Sequence, residues 1–321
     1  MFKMSSYRKF VIKVGVLFII FLLFDFVFGS SLRKLYYSQT SGLLYRTTYS
    51  LEKTQADILI FGSSRANHHY HPDIISTGTN CSYYNVGRDG MGIMYHYALL
   101  KGILERYKPK LIILDISIGQ FSKENNEKEK LSALLPYYKT HPEIRDLLYY
   151  RGPFERIKLH SQSYPFNSII PTILVGNMEF NKSRKNDLLG YIPLPTRDPK
   201  MINYFNKNDF YKTDPNTIDS SMVSFFEEFI RTSIEKKINL IVTISPYLTN
   251  SIIDDSSIKE AIKICLKYNI PFFNYYYLQG ISDNKNNFMN AMHLNEKGSI
   301  NFSKMLLPSI NIQLNKIREQ N

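Results

Sequence analysis

Residues 56–67 read Ala-Asp-Ile-Leu-Ile-Phe-Gly-Ser-Ser-Arg-Ala-Asn, and this stretch decides the fold class. Ile58 to Phe61 form an unbroken apolar run, which predicts a strand covered on both faces, as in a parallel sheet. Gly62 ends the run, and Arg65 to His69 can continue as a helix. Ligands of open α/β sheets bind beyond the carboxyl ends of the strands, so the two intervening serines occupy the usual position for chemistry. The same pattern also suits an ordinary turn, in which glycine permits positive φ and serine caps the next helix.

A histidine near the other end of the chain is the second candidate element. His293 lies in Asn290-Ala-Met-His-Leu-Asn-Glu-Lys-Gly298, directly before a helix start that Asn295 can cap. A histidine held on a loop at the base of a helix can be aimed at a serine on another loop, as a general base must be. A lone loop histidine is usually a surface residue, but its pairing with the Gly-Ser-Ser turn favours a catalytic role.

Three blocks, at residues 62–65, 84–90 and 290–298, resemble the SGNH/GDSL hydrolase superfamily. The resemblance covers residues 56–118 and 236–310. It implies a flavodoxin-like three-layer α/β/α fold with a parallel sheet, and an enzyme that cleaves or transfers acyl esters. It also implies the site residues: the nucleophile is Ser64, the base is His293, and the backbone N–H groups of Ser64 and Gly90 form the oxyanion hole.

Two positions depart from the family pattern. Asn290 stands where the family has the Asp that orients the histidine; its amide oxygen can accept the Nδ1 proton without supplying charge, and Asp283 on the same loop is the alternative orienter. The family's Asn after the strand at 111–114 is absent, and a serine or glutamine of Asp115-Ile-Ser-Ile-Gly-Gln120 could replace it. One oxyanion-hole donor is typically worth about 3 kcal/mol, so this departure matters for the rate.

Other polar residues near these blocks have more than one interpretation. Arg65 could hold an anionic or sugar-bearing substrate, although pairing with Asp89 or Asp115 is the more common role for such a residue. Asn85 could contact substrate or cap the turn before the next helix. His-His-Tyr-His at 68–71 lacks an acidic or thiolate partner and is followed by a proline, so we expect no metal site. No cofactor is expected either.

The N-terminus predicts a membrane segment, placed within residues 1–31. Val14 to Phe28 form an apolar run broken only by Asp25, and Gly29-Ser-Ser31 is expected to close it. With the preceding apolar residues included, the run approaches the length of a spanning helix. Four basic residues precede it and two follow it, so the positive-inside rule predicts a cytoplasmic N-terminus and a catalytic domain in the periplasm or on the cell surface. A cleaved signal peptide is the alternative, and it also exports the domain.

Residues 32–321 are predicted to form one SGNH-like α/β domain with an insertion at 121–216. The insertion is rich in Lys, Asn, Tyr and Pro and lacks strand periodicity, which suits helices and loops above the strand ends, as a lid or substrate platform. Cys81 and Cys265 could form one bridge or remain two thiols. Around the insertion, the pattern predicts strands at 110–116, 238–244 and 271–275 and helices at 91–107, 219–236, 256–268 and 295–315.

The chain carries 40 Lys and Arg against 28 Asp and Glu, a formal charge of +12, but these residues are dispersed without the basic stripe of a nucleic-acid-binding protein. The blocks and the anchor resemble membrane-anchored SGNH proteins encoded near bacterial envelope polysaccharide genes. We therefore expect an exported acyl-ester hydrolase or O-acyltransferase that acts on O-acetyl groups of a cell-envelope glycan or another envelope polymer. A membrane acyl-donor protein is a candidate partner. The alternative, suggested by the two departures, is a weak or inactive SGNH fold that binds glycan or assists envelope assembly.

Overall fold

A computed structural model describes residues 6–178, 188–196, 217–250 and 254–318. The chain divides into two compact units, one from residues 1–45 and 132–184 and the other from residues 46–131 and 185–321. The first unit combines the N-terminal helix with part of the predicted insertion, and the domain boundary at residue 31 stays a prediction.

The second unit is built on a five-stranded parallel sheet with the strand order β2-β1-β3-β4-β5. The strands are β1 Ile58–Gly62, β2 Tyr83–Asn85, β3 Leu111–Asp115, β4 Asn239–Ile244 and β5 Phe272–Asn274. Every residue of β1 and β3 is buried, which agrees with the prediction of strands covered on both faces. This is the strand order of flavodoxin-like folds, whose ligand crevice opens at the carboxyl ends of β1 and β3.

Helices cover both faces of the sheet. On one face, Ile60 and Ile113 belong to a buried cluster with Phe302 and Leu306 of the C-terminal helix. On the other face, Phe61 packs edge-on against Phe229, with the ring centroids 5.3 Å apart. The predicted three-layer α/β/α fold is therefore confirmed.

The predicted helices at 65–69, 91–107, 219–236, 256–268 and 295–315 agree with the structure to within a few residues. The helices Gly42–Glu52 and Pro72–Thr79 and strand β2 were not predicted, and no bounds were predicted for the helices of the insertion. The α-helices are α1 Ser6–Tyr37, α2 Gly42–Glu52, α3 Ser64–His69, α4 Pro72–Thr79, α5 Ile93–Leu104, α6 Glu127–Lys130, α7 Arg145–Tyr149, α8 Glu155–Lys158, α9 Ile170–Gly176, α10 Ser220–Glu235, α11 Ser256–Lys267 and α12 Glu296–Arg318. Helix α4 has the proline at its start and the left-handed Asn80 at its end that are typical of short helices. The described part of the insertion is helical and loop-like, as expected; its place above the strand ends stays a prediction.

In the first unit, helix α1 is long and apolar enough to cross a membrane. The prediction that Gly29-Ser-Ser31 closes it is wrong, since the helix continues to Tyr37. The Ser31 hydroxyl donates to the Val27 carbonyl within the helix, so the two serines do not end it. Gly29, Leu32 and Tyr36 are buried, whereas the side chains of residues 6–24 are exposed.

Candidate active site

Ser64 lies at the carboxyl end of β1, where the chain turns from strand into helix. Gly62 has a φ of 138°, and a Cβ on it would overlap the carbonyl oxygen of Asp115 on neighbouring β3. Only glycine combines this conformation with so close an approach of two backbones. The tight turn makes Ser64 the first residue of α3, half-buried beside the crevice between β1 and β3.

His293 meets this serine across the crevice. Its Nε2 atom lies 2.7 Å from Ser64 Oγ, and its Nδ1 atom lies 3.0 Å from Asn290 Oδ1. The three side chains named from the sequence thus come together in the order Ser64, His293, Asn290. Asp283, the alternative orienter, is exposed to solvent.

The Asn290 oxygen decides the tautomer of the histidine. The same oxygen accepts the backbone N–H groups of Met292 at 2.9 Å and His293 at 3.0 Å. A backbone N–H can only donate, so the amide atom that faces the ring is the oxygen and not the nitrogen. That oxygen needs a proton on Nδ1, which leaves the Nε2 lone pair directed at Ser64. The ring is therefore held in the tautomer that a general base requires.

Burial is the largest effect on the ionisation of His293. Together with weaker contributions from His68 and Arg65, it lowers the pKa of His293 to about 4, while Asp89 acts in the opposite direction. The ring is consequently neutral near pH 7 and free to accept a proton. Asn290 is neutral, so it adds no negative charge that would stabilise His293 in its protonated form.

Behind the Ser-His pair, the buried His69 holds the loop that carries His293. Its Nε2 accepts the N–H of Leu294 at 3.0 Å, so Nδ1 is protonated and donates to Ser245 Oγ at 2.8 Å. The Ser245 hydroxyl in turn donates to Asp115 Oδ2 at 2.7 Å. Burial holds the pKa of His69 well below its usual value, which keeps its Nε2 an acceptor. The sequence had marked His69 only as part of a rejected metal motif, because its partners are far away in the chain.

Arg65 pairs with Asp115, one of the two partners considered. Its Nη2 lies 3.4 Å from Asp115 Oδ1 and also donates to the Ile116 carbonyl, and the guanidinium stacks 4.3 Å from the ring centroid of Tyr247. Both charged side chains are buried, and burial raises the pKa of Asp115 against the opposing charge of Arg65. The pair lies at the inner end of the crevice.

Asp89, the other partner considered for Arg65, contacts two other residues of α3 instead. It accepts from Asn67 Nδ2 at 2.7 Å, and its second oxygen lies 3.3 Å from His68 Nε2. Burial acts to raise the pKa of Asp89, but the contacts with His68 and Asn67 outweigh it and lower the pKa to about 2. They tie the loop that contains Gly90 to the helix that begins with Ser64.

Asn85 and Gly90 have different surroundings. Asn85 is buried, donates to the Ala66 carbonyl at 2.7 Å and accepts the Gly87 N–H at 2.9 Å, so it stabilises the turn rather than facing a substrate. Gly90 is exposed, with a φ of 72° and open space around it. Its role in the oxyanion hole stays a prediction.

A cavity of about 90 Å³ opens beside Ser64. Its lining residues are Ser63, Ser64, Arg65, Asp115, Ser117 and Met292. Ser117 follows β3, where the family has its Asn, but both its N–H and its hydroxyl are directed at Gln120 Oε1, at 3.1 and 3.2 Å. The two residues considered as replacements for that Asn therefore bond to each other.

No protein-family model matches this chain, and no curated protein sequence matches it. Two solved structures are similar to it. A candidate acylhydrolase from Bacteroides fragilis is 11% identical with a TM-score of 0.38, over 84% of this chain and 97% of that one. An acetyl xylan esterase from the rumen bacterium Butyrivibrio proteoclasticus is 12% identical with a TM-score of 0.35, over 81% of this chain and 65% of that one. This chain thus spans less than two thirds of the esterase.

The described residues contain no group of three or more His, Cys, Asp or Glu side chains arranged to hold a metal ion. His68 and His69 direct their nitrogens to separate partners, and His71 packs against Tyr191 with the ring centroids 5.3 Å apart. Cys81 and Cys265 are both buried free thiols.

Proposed function

We propose that this protein is a serine acyl-ester hydrolase or O-acyltransferase of the SGNH type, with Ser64 as nucleophile and His293 as general base. The observation that carries the proposal is the 2.7 Å contact between Ser64 Oγ and the unprotonated Nε2 of His293, whose Nδ1 proton is held by Asn290. A serine activated by an adjacent, oriented base is the arrangement of nucleophilic acyl transfer.

The reaction follows from these atoms. Ser64 Oγ attacks the ester carbonyl carbon while His293 Nε2 takes its proton, giving a tetrahedral oxyanion that the N–H groups of Ser64 and Gly90 would bind. Collapse of this intermediate breaks the bond to the alcohol, which leaves with the proton from His293. Water or a sugar hydroxyl then gives its proton to His293 and attacks the acyl-enzyme. The bond to Ser64 Oγ breaks as His293 returns the proton to it, which releases an acid or a new ester and restores the Ser64 hydroxyl.

The replacement of Asp by Asn costs less here than in a serine protease. There the Asn variant lost about four orders of magnitude in rate because it favoured the wrong tautomer of the histidine. In this protein the turn formed by Asn290, Met292 and His293 fixes the amide oxygen towards Nδ1, so the tautomer is correct. Only the charge that stabilises the imidazolium is missing.

The size of the cavity favours a short acyl group. A cavity of about 90 Å³ is small beside the roughly 300–1,000 Å³ of common ligand pockets, which favours a short acyl group such as acetyl over a long fatty acyl chain. We therefore propose O-acetyl groups, on a cell-envelope glycan or related polymer, as the substrate class; a membrane protein that supplies acetyl groups would be the partner in a transfer reaction.

We also propose that helix α1 anchors the protein in the membrane, with its N-terminus cytoplasmic and the catalytic unit outside the cytoplasm. Asp25, midway along α1, accepts the N–H groups of Gln162 and Ser163 at 2.7 and 3.1 Å and the hydroxyl of Ser161 at 2.7 Å. Cleavage near residue 29 would remove a packed, hydrogen-bonded part of the first unit. This favours a retained anchor over a cleaved signal peptide.

A fluorophosphonate probe tests the catalytic proposal without a known substrate. The full chain in detergent is treated with the probe, and its intact mass and peptides are measured. We expect one adduct, on Ser64, that is lost in Ser64→Ala and His293→Ala. Ser63→Ala is the matched control and should keep the adduct. A folded protein that gains no adduct, or an adduct that persists in Ser64→Ala, would contradict the proposal.

The second candidate is a glycan-binding protein with a weakened site, favoured by the neutral Asn290 and by the mutual bonding of Ser117 and Gln120. Binding to O-acetylated envelope glycan without turnover, in both the wild type and Asn290→Asp, would favour this candidate. Turnover by the wild type would exclude it.

A further inference from the structure

The guanidinium of Arg65 has an unexplained set of donors. The side chain is 4% exposed, yet its Nε and Nη1 have no hydrogen-bond partner in the part of the chain that the structure describes. Only Nη2 is bonded, to Asp115 and to the Ile116 carbonyl. A buried donor without a partner costs about 1–3 kcal/mol, so such a group in a folded protein calls for a specific explanation.

The position of these donors supplies an explanation. Arg65 lines the same cavity as Ser64, the residue directly before it in the chain. Two other polar side chains that line the cavity are already bonded: Asp115 accepts the N–H and hydroxyl of Ser245 at 3.1 and 2.7 Å, and Ser117 donates to Gln120. The Arg65 donors therefore remain for an oxygen atom that enters the cavity beside the nucleophile.

We propose that Arg65 is a catalytic residue that supplies the third oxyanion-hole donor, in place of the Asn that is absent after β3. One of its two unpartnered donors, Nε–H or Nη1–H, would bind the carbonyl oxygen of a short acyl group as negative charge develops on it. This inference rests on the proposed acyl transfer at Ser64.

The electrostatics suit this role. Asp115 and the Tyr247 ring hold the guanidinium in place, so little reorganisation is needed when the oxyanion forms. Asp115 lies at 3.4 Å, longer than a normal charge-assisted bond, and its two oxygens are engaged more closely by Ser245. The positive charge of Arg65 is thus only partly neutralised, and the remaining charge would stabilise an oxyanion within the cavity.

The test compares Arg65→Lys with Arg106→Lys in the full chain, using p-nitrophenyl acetate. Lysine keeps the positive charge beside Asp115 but removes the planar guanidinium with its Nε–H and Nη1–H donors. Arg106 follows α5, which delivers the chain to the amino end of β3, and its guanidinium binds the carbonyls of Ser50, Leu51 and Thr54. It therefore provides a structural arginine remote from the carboxyl ends of the strands. Rates are divided by the concentration of sites that react with the fluorophosphonate, which corrects for misfolded protein.

We expect Arg65→Lys to lower kcat per titrated site about 10²- to 10³-fold with little change in KM, as for loss of an oxyanion-hole donor, and Arg106→Lys to leave it within about threefold. In Arg65→Ala, added ethylguanidinium should restore part of kcat, whereas ethylammonium at equal concentration should not. An unchanged kcat in Arg65→Lys, or equal rescue by the two cations, would overturn the inference while leaving Ser64 as nucleophile. A wild type without adduct or turnover would instead remove the proposed function itself.

Discussion

At the scale of single residues, the chemistry of this site depends on which atom of Asn290 faces His293. The answer comes from two backbone N–H groups that share the amide oxygen with the ring. In the proposed mechanism, Asn290 would orient His293 as the usual Asp does, but it would leave the imidazolium without a counter-charge. The low pKa of His293, about 4, is consistent with this neutral neighbour.

Asn290→Asp should make His293 a stronger base. A carboxylate about 3 Å from Nδ1 favours the protonated ring, and such a charge raises a neighbouring pKa by about 1–3 units. Since catalysis needs neutral His293, kcat/KM of the wild type should fall only below about pH 4, and this limb should move to higher pH by about 1–3 units in the variant. At pH 8, where both rings are neutral, kcat should rise about tenfold or more.

The measurement is kcat/KM for p-nitrophenyl acetate between pH 3.5 and 9, with circular dichroism to confirm that the protein stays folded. Asn290→Ala is the control, and it should lower the rate at all pH values because the tautomer is no longer fixed. A wild-type limb near pH 6.5 would show that burial does not depress the pKa of His293 in this way.

At the scale of elements, two features set the geometry of the site: the turn from β1 into α3 and the loop before α12. Gly62 allows the first, and the bond from the Leu294 N–H to His69 holds the second. Each feature fixes the path of the backbone, so a substitution that removes it is expected to change stability as well as activity.

Gly62→Ala should destabilise the fold. The φ of 138° and the overlap with the Asp115 carbonyl each oppose a Cβ, and together we expect a loss of about 2–5 kcal/mol in the free energy of unfolding. Urea unfolding in detergent measures it. Gly152→Ala, where a Cβ meets no atom within 4 Å, should change stability by less than about 1 kcal/mol. Equal effects of the two substitutions would contradict the close approach of β1 and β3.

His69→Phe should loosen the loop that carries His293. It leaves the N–H of Leu294 and the hydroxyl of Ser245 with one partner fewer in a buried site, at about 1–3 kcal/mol for each group left unpaired. We expect a lower free energy of unfolding and slower fluorophosphonate labelling of Ser64. His71→Phe is the matched control, because the His71 ring packs against Tyr191 and its Nδ1 makes no hydrogen bond within the described residues. Labelling that is slowed equally by both substitutions would argue against the His69 link.

At the scale of the whole molecule, the chain combines a five-stranded α/β/α unit with a unit that begins in helix α1. The site residues Ser64, His293, Asn290 and Arg65 all belong to the sheet-containing unit. Helix α1 belongs to the other unit; its side chains are exposed through Phe24, and Gly29, Leu32 and Tyr36 are its buried residues.

Protein purified from membranes should retain α1. Intact mass is expected to show the uncleaved chain, because Asp25 is hydrogen-bonded and Gly29, Leu32 and Tyr36 are buried within the first unit. Asp25→Leu should leave the protein in the membrane but lower its thermal stability, since half-buried donors of Ser161, Gln162 and Ser163 lose their acceptor. A purified chain that begins near residue 30 would identify a signal peptide.

Local sequence was enough to locate the strand before Ser64, the helix after His293 and the α/β/α class, because apolar runs, glycine and capping residues act over a few positions. It also named Ser64, His293 and Asn290 before their distances were known. It did not reveal the end of α1 or the bonds of His69, Ser245 and Asp115. Those contacts join segments more than a hundred residues apart in the chain, and no short-range pattern encodes them.

By itself, then, the sequence determined four of the five strands, the longer helices around them and the residue types of a candidate Ser-His site, since these depend on periodicity and on side-chain chemistry. Tertiary structure decided which atom of Asn290 faces His293 and that Ser117 and Gln120 bond to each other. It also decided that Arg65 lines the cavity and that two of its donors have no partner among the described residues. The physical reason is that hydrogen-bond direction and burial arise only when strands β1, β3 and β4 lie side by side and bring distant loops to one edge of the sheet.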